Sequence, residues 1–154
     1  MKKVMPAGRQ GFTLIELLVV ISIIGVLASL VLVNFNAARE RTRDVQRKSD
    51  LDQVKKALRM YYNDNNFYPA ANLVAWGSSF QSGTMVYMKI LPHDPSYQAA
   101  DQLPEYNYEL VVSGAQDFCL WASLENASDG DIVKSEARCS SCGRAMPDYV
   151  VCAD

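Results

Sequence analysis

Few residues in this chain of 154 residues have the side chains and the spacing that chemistry requires. One is an acid, Glu16, which stands inside a long run of apolar residues. Another is the single histidine, His93, for which the sequence identifies no catalytic partner. The remaining candidates are four cysteines near the C-terminus: Cys119, Cys139, Cys142 and Cys152. Since no Ser-His-Asp set, Walker-type loop or paired-carboxylate site can be recognised, we expect no enzyme activity and no cofactor.

The charged residues are divided into zones along the chain. The formal net charge is −2, which argues against a general nucleic-acid-binding protein because such domains are usually strongly basic. The first ten residues are basic, and a second basic segment runs from Arg39 to Arg59. From Met60 onward twelve acidic residues stand against four basic ones. We therefore expect no nucleic-acid partner.

The longest apolar stretch runs from Phe12 to Phe35 and contains one ionisable residue, Glu16. As a helix these residues would extend about 36 Å, which is enough to cross a bilayer. An ordinary secretory signal peptide fits poorly, because the stretch exceeds the usual length and no small-residue cleavage site follows it. The basic N-terminus before it predicts a membrane-spanning helix whose N-terminal side faces the cytoplasm.

The hexapeptide Gly11-Phe12-Thr13-Leu14-Ile15-Glu16 resembles the processing site of type IV prepilins and type II secretion pseudopilins. In that family a basic leader is cut after the glycine, the new N-terminal residue is N-methylated, and a glutamate four residues further on is retained. The resemblance implies that residues 1–11 are a leader, that Phe12 becomes the methylated N-terminus, and that Glu16 is the assembly acid.

A charge inside lipid is costly, so Glu16 is a functional candidate on physical grounds as well. Cleavage after Gly11 would give Phe12 a positive α-amino group, and the two opposite charges attract strongly at low dielectric. An axially shifted neighbouring subunit is a natural source of that amine, and Glu16 would then set the register between subunits. The alternative is simpler: a helix N-terminus favours any nearby anion.

The helix is expected to continue beyond the apolar run through residues 36–66. Neither proline nor glycine occurs between Gly25 and Pro69, and apolar residues recur at helical spacing from Leu51 to Tyr61. This stripe should pack against a globular head, with a helix stop near residues 63–66 and at Pro69. Related pilins have a proline near position 33, where this chain has Val33, and the departure leaves open whether the helix loosens there.

The basic residues of this segment, Arg39, Arg41, Arg43, Arg47 and Lys48, permit two interpretations. They could contact anionic lipid headgroups. We favour a solvated helix face stabilised by local pairs such as Glu40–Arg43 and Asp44–Lys48. In a filament the segment could also lie beside acidic heads of other subunits.

Residues 67–154 are predicted to form the head. Leu91-Pro92-His93-Asp94-Pro95 resembles a turn that many pilins and pseudopilins carry before the sheet. Alternating residues predict strands at 106–112 and 118–124, joined by a five-residue connection, and a third strand at 149–152. The expected fold is therefore α+β: a long N-terminal helix packed on a small antiparallel sheet, as in type IV pilins.

The four cysteines permit three kinds of chemistry. A structural zinc site needs four ligands, but the sequence has one Cys-x-x-Cys pair rather than two. A redox-active dithiol lacks its usual βαβ context. Two disulfides suit a head outside the cytoplasm, and we slightly favour Cys119–Cys152 with Cys139–Cys142, although the sequence does not decide between the pairings.

An acidic turn contains Asn126, Asp129 and Asp131. Some pseudopilins hold calcium in a head loop, but six to eight oxygen ligands cannot be assembled here, so a solvated turn and no metal are expected. Asn126-Ala127-Ser128 also matches a glycosylation acceptor, which is a weak pattern.

The sequence therefore predicts a structural subunit of a type IV pilus-like filament, polymerised through its N-terminal helix. The resemblance implies its partners: copies of itself, a prepilin peptidase, and an assembly platform with its motor. It also implies a location in the cytoplasmic membrane with the head outside, and later in an extracellular filament. The alternatives are a secretion pseudopilin in a short periplasmic piston, a membrane-anchored zinc or thiol protein, and a minor pilin that binds DNA.

Overall fold

The computed structural model describes residues 11–100, 105–111, 116–142 and 148–153, without the side chains of 30–34. Most of the predicted leader, the connection at 112–115 and the side chain of Val33 lie outside this part of the chain. The chain divides into two compact units, Met1–Ala38 and Arg39–Asp154.

The first unit contains the beginning of helix α1, which runs from Leu14 to Asn65 across the boundary between the units. Its large apolar side chains are exposed wherever they are described, from Leu14 at 87% to Val20 at 47%. Among the described residues, no helix combines the length and the apolar character that crossing a membrane requires. The membrane-spanning role of 12–35 is not confirmed by this finding and stays a prediction.

In its described residues, the second unit contains two antiparallel sheets. Strands β1 (Phe80–Ser82) and β2 (Met85–Met88) form a two-stranded antiparallel hairpin. Strands β3 (Asn107–Val111), β4 (Asp117–Ser123) and β5 (Asp148–Cys152) form a second antiparallel sheet in the order β3-β4-β5. The three strands predicted from the sequence are confirmed, as is the α+β class. The hairpin was not predicted.

The C-terminal half of α1 packs on this sheet as its apolar stripe predicts. Leu51, Val54 and Leu58 are fully buried, and Tyr61 is 4% exposed. Their partners come from the sheets and loops: Phe80, Leu91, Tyr106, Phe118, Leu120 and Val151. The helix therefore supplies one layer of the core and the sheet the other.

The end of α1 agrees with the predicted stop. Asn66 takes a left-handed conformation, with φ of 61°, directly after the last helical residue. Its N–H donates to the carbonyl of Tyr62 at 2.7 Å. Asparagine tolerates this conformation better than most residues, so it ends the helix at low cost.

A second helix, α2 (Gly130–Arg138), is an element that the sequence analysis missed. Asp129 caps it by accepting a hydrogen bond from the N–H of Asp131 at 2.9 Å. Its buried residues are Ile132 and Ser135, and Ser135 Oγ accepts the N–H of Val150 in β5 at 3.1 Å. This bond satisfies a backbone donor of an edge strand.

Candidate functional site

The start of α1 is fixed by Thr13 and Glu16, because the side chain of each accepts a hydrogen bond from the backbone N–H of the other. Residues 11–13 are not helical, so Thr13 occupies the position before Leu14, the first helical residue. Glu16 Oε2 accepts hydrogen bonds from the N–H of Thr13 at 2.9 Å and from its hydroxyl at 2.7 Å. Thr13 Oγ1 in turn accepts the N–H of Glu16 at 3.3 Å. This reciprocal pair is a capping box.

The capping box gives Glu16 a partner within its own chain. The sequence signal was present but missed: Thr13-x-x-Glu16 before an apolar run is typical of a helix N-terminus. The simpler interpretation of Glu16, as an anion favoured by the helix end, is supported by this geometry. Its role between subunits stays a prediction.

A second constellation surrounds Arg47, whose side chain is 3% exposed. The guanidinium donates two hydrogen bonds to Asp94 in a bidentate arrangement, from Nε to Oδ2 at 2.7 Å and from Nη2 to Oδ1 at 3.0 Å. Nη2 also donates to Ser96 Oγ at 3.0 Å. Nη1 reaches Asp44 Oδ1 at 2.7 Å and Glu125 Oε1 at 2.8 Å. All five N–H donors of the guanidinium thus have acceptors.

The acids around Arg47 tie two other segments of the head to α1. Asp44 accepts the backbone N–H groups of Glu125 and Asn126, each at 2.9 Å. Glu125 also receives Arg43, whose Nε lies 2.6 Å from Oε1. Asp94 belongs to the Leu-Pro-x-Asp-Pro turn, so this turn is held to the helix by a buried ion pair. Below, these five residues are called the Arg47 network: Arg43, Asp44, Arg47, Asp94 and Glu125.

Electrostatics stabilise the charged forms in the network. Burial lowers the pKa of Arg47, but the hydrogen bonds that it donates to Asp94, Glu125 and Asp44 outweigh this effect and raise the pKa above its ordinary value. The hydrogen bond from Arg43 is the main cause that lowers the pKa of Glu125, to about 2, against burial, which raises it. These neighbours therefore favour the charged forms of Arg47 and Glu125.

The basic segment is paired differently from our prediction. The local pairs Glu40–Arg43 and Asp44–Lys48 were favoured, but Arg43 binds Glu125 and Lys48 binds Asp129 and Asp131, at 2.7 and 2.8 Å. Long-range acids prevail because the head folds back onto this helix face and brings carboxylates within reach. The favoured interpretation as a solvated face was therefore wrong for these side chains.

The acidic turn is likewise more than a solvated loop. Asp129 and Asp131 share the ammonium of Lys48, and Asp129 also caps α2. Asn126 Oδ1 accepts the N–H of Ser128 at 3.2 Å. No group of three or more His, Cys, Asp or Glu side chains among the described residues is arranged to hold a metal ion.

The cysteines form two disulfides, but not in the pairing that we favoured. Cys119 is bonded to Cys142, and Cys139 to Cys152. Cys119 and Cys152 are Cα partners across β4 and β5, as expected, yet each bonds to the segment after α2 instead. Cys139 is the C-cap of α2 and Cys142, three positions later, ends a short 3-10 helix, and each lies within bonding distance of a different strand. With every cysteine bonded, none is left as a thiolate for zinc.

His93 connects loops of the head and is less isolated than its sequence context indicates. Its ring stacks on Tyr97 at 4.0 Å between centroids, and Nδ1 lies 2.5 Å from Glu105 Oε2. Gly77 lies against the same ring with φ of 72°, and a Cβ there would come within 2.1 Å of His93 Nε2. Only glycine fits that position.

Comparisons with known proteins agree with the N-terminal motif. Residues 6–32 match the family model of the prokaryotic N-terminal methylation motif. The chain is 47% identical over 119 residues to type II secretion system core protein G of Escherichia coli (strain K12), covering 69% of this chain and 81% of the relative. The corresponding protein of Aeromonas hydrophila is 37% identical over 98 residues, 56% of this chain and 67% of the relative.

A pilus protein is similar as well. The type IV wide pilus major component PilA4 of Thermus thermophilus is 44% identical over 72 residues, 46% of this chain and 55% of the relative. No solved structure matches the chain significantly. The methylation motif, the long N-terminal helix on an antiparallel sheet, and these relatives agree with one another: the chain belongs to the family of type IV pilins and type II secretion pseudopilins, and is a pilin-like filament subunit.

Proposed function

We propose that this chain is made as a membrane-held precursor, processed after Gly11, and polymerised through the apolar part of α1 into a type IV pilus-like filament. The observation that carries the proposal is the bare apolar surface at the beginning of α1, where Leu14 is 87% exposed and Ile15 71%. A surface of this extent needs lipid or protein to cover it. Polymerisation exchanges one apolar environment for another.

The backbone before α1 suits processing. Gly11 to Thr13 precede the helix, so the bond proposed to be cut is outside the helical hydrogen-bond pattern. The capping box fixes that boundary, because Glu16 and Thr13 define where the helix begins. A prepilin peptidase would therefore cut a bond outside the helix, and cleavage would leave Phe12 as an N-terminal amine ready for methylation.

In this proposal Glu16 has two roles, one before and one after cleavage. In the precursor it caps its own helix through Thr13. In the filament its charge attracts the Phe12 amine of a neighbouring subunit and sets the axial register, as opposite charges do at low dielectric. The assembly platform and motor would supply the subunits and the work of extraction. The chain itself is proposed to be structural rather than catalytic.

The charge of Glu16 can be separated from its capping ability by one substitution. Glutamine at this position keeps the hydrogen-bond acceptor of a capping box but removes the charge. We expect Glu16→Gln to accumulate in the membrane at the normal level while sheared filaments become scarce. Glu40→Gln, an exposed acid further along α1, is the matched control and should give normal filaments. Normal filament yield from Glu16→Gln would remove the register role.

A secretion pseudopilus is the second candidate. Its support is the identity to core protein G of Escherichia coli over 119 residues, and in this alternative the chain would belong to a short periplasmic piston. Electron microscopy of the cell surface at native expression divides the two. Surface fibres containing this chain support the pilus, whereas secretion that fails on deletion of its gene, without surface fibres, supports the pseudopilus.

A further inference from the structure

The two disulfides belong to one cluster of four sulfurs. Cys119 and Cys152 lie opposite each other on β4 and β5, while Cys139 ends α2 and Cys142 ends the short 3-10 helix that follows it, Ser140–Cys142. Both bridges connect the strand pair to residues 139–142. They differ in what surrounds them.

The two disulfides differ in how deeply their cysteines are buried. Cys119, Cys139 and Cys152 are 3–5% exposed, whereas Cys142 is only partly buried. Thiol–disulfide exchange requires an attacking thiolate to approach one sulfur of the bond, so access limits its rate. Cys142 is the half of the Cys119–Cys142 bridge that solvent reaches, and Cys139–Cys152 has no comparably exposed member.

The end of α2 adds a second difference. Cys139 is the C-cap of this nine-residue helix, and its N–H donates to the carbonyl of Ser135 at 2.9 Å. The C-terminal carbonyls make this end negative, which disfavours an anionic thiolate on Cys139. Opening Cys139–Cys152 by attack at Cys152 would place a thiolate there. Opening Cys119–Cys142 by attack at Cys142 places it on β4 instead.

We propose that Cys142 is the site at which low-molecular-weight thiols react with this protein. The attacking thiolate forms a bond with Cys142 Sγ, the Cys119–Cys142 bond breaks, and its electron pair leaves on Cys119, which then takes a proton from solvent. The product is a mixed disulfide on Cys142 and a free thiol on Cys119. No electrons are gained or lost by the protein and thiol together, so no further oxidant or reductant is needed.

The reaction leaves the rest of the head in place. Cys139–Cys152 still ties α2 to β5, and the Ser135–Val150 and Lys48–Asp129 contacts are untouched. Local loosening is therefore confined to the segment that carries Cys142. All four cysteines belong to the second unit.

The test uses the full-length protein in detergent with reduced glutathione as the probe. Samples are quenched with acid, free thiols are blocked with N-ethylmaleimide, and peptides are mapped by mass spectrometry. We expect the first glutathione adduct on Cys142 and the first blocked thiol on Cys119, with Cys139–Cys152 opening roughly tenfold more slowly. A first adduct on another cysteine, equal opening rates, or no adduct before the head unfolds would overturn the proposal.

Matched variants give a second measurement. Cys139→Ser with Cys152→Ser leaves only the Cys119–Cys142 bridge, and Cys119→Ser with Cys142→Ser leaves only the other. The first variant should form its glutathione adduct roughly tenfold faster than the second. If the order is reversed, access to Cys142 does not control the reaction. If either variant fails to fold, the mapping of the unmodified protein decides.

Discussion

At the scale of single residues, Arg47 shows how one buried charge organises the head. Burying a guanidinium is costly, and the cost is offset only when its hydrogen bonds are satisfied. Here Asp94 takes a two-pronged bond while Asp44 and Glu125 take the remaining Nη1 donors. Since Asp44 also binds backbone amides after β4, the network joins helix, turn and sheet.

Removing Arg47 should therefore be strongly destabilising. Arg47→Ala leaves Asp44 and Asp94 as buried carboxylates without their counter-ion, for which losses of about 3–5 kcal/mol in the free energy of unfolding are typical. Urea denaturation of the full-length chain in detergent, followed by tyrosine and tryptophan fluorescence, measures this. Arg41→Ala, at an exposed position on the same helix, is the control and should change stability by about 0.5 kcal/mol or less. Similar losses for both variants would contradict a central role for Arg47.

The pKa of Glu125 makes a prediction about acid. Its pKa is about 2 in the folded head and near 4.5 ordinarily, so the folded state favours the ionised form. The stability that this acid contributes is present above about pH 4.5 and is lost as the pH falls toward 2. Glu125→Gln should lower the melting temperature at neutral pH and make it less sensitive to pH below 4.5. Parallel melting profiles of both proteins between pH 6 and 2 would contradict the prediction.

These residues also show where sequence reasoning stops. The capping residues Thr13 and Glu16 are three positions apart, so a local pattern contained them. Apart from Asp44, the carboxylate partners of Arg47 and Lys48 come from parts of the head 47 or more positions away, as the Arg47–Asp94 and Lys48–Asp129 bonds show. Helical spacing finds only neighbours three or four residues apart, and it therefore suggested the wrong pairs.

At the scale of elements, α1 was predictable because one physical period governs it. Its apolar stripe, the absence of proline and glycine after Gly25, and the asparagines at its end all indicate the same helix. The β1–β2 hairpin is short, with exposed Met85 and Val86, so its pattern was weak. Helix α2 is only nine residues long, and its Asp129 cap was interpreted as part of an acidic turn.

The capping box makes a prediction for the first turn of α1. Thr13→Ala removes the hydroxyl that accepts the N–H of Glu16 and should cost about 0.5–2 kcal/mol, expressed as fraying of the first turn. Hydrogen exchange of the amides at positions 14–17 in detergent should then be faster. In the control Ser22→Ala, the lost hydroxyl bonds the carbonyl of Val19 inside the helix, so exchange at 14–17 should not change. Unchanged exchange in Thr13→Ala would show that the cap does not hold the helix start.

At the scale of the whole molecule, the basic and acidic zones of the sequence form ion pairs with each other within one chain. Three basic residues of α1 pair with acids of the head: Arg43, Arg47 and Lys48 are each bound to carboxylates. Two disulfides then fasten the segment after α2 to the sheet. In the second unit the apolar stripe of α1 is covered by the chain itself, whereas the apolar side chains of 14–27 are exposed. We propose that subunits assemble through these exposed apolar side chains.

We propose above that processing after Gly11 makes Phe12 the N-terminal residue, directly before the exposed apolar part of α1. Intact-mass measurement and N-terminal fragmentation of the protein purified from its native membrane or filament test this directly. We expect a chain that begins at Phe12 and carries one added methyl group. A mature protein that retains its first eleven residues, or one cut beyond the apolar segment, would contradict it.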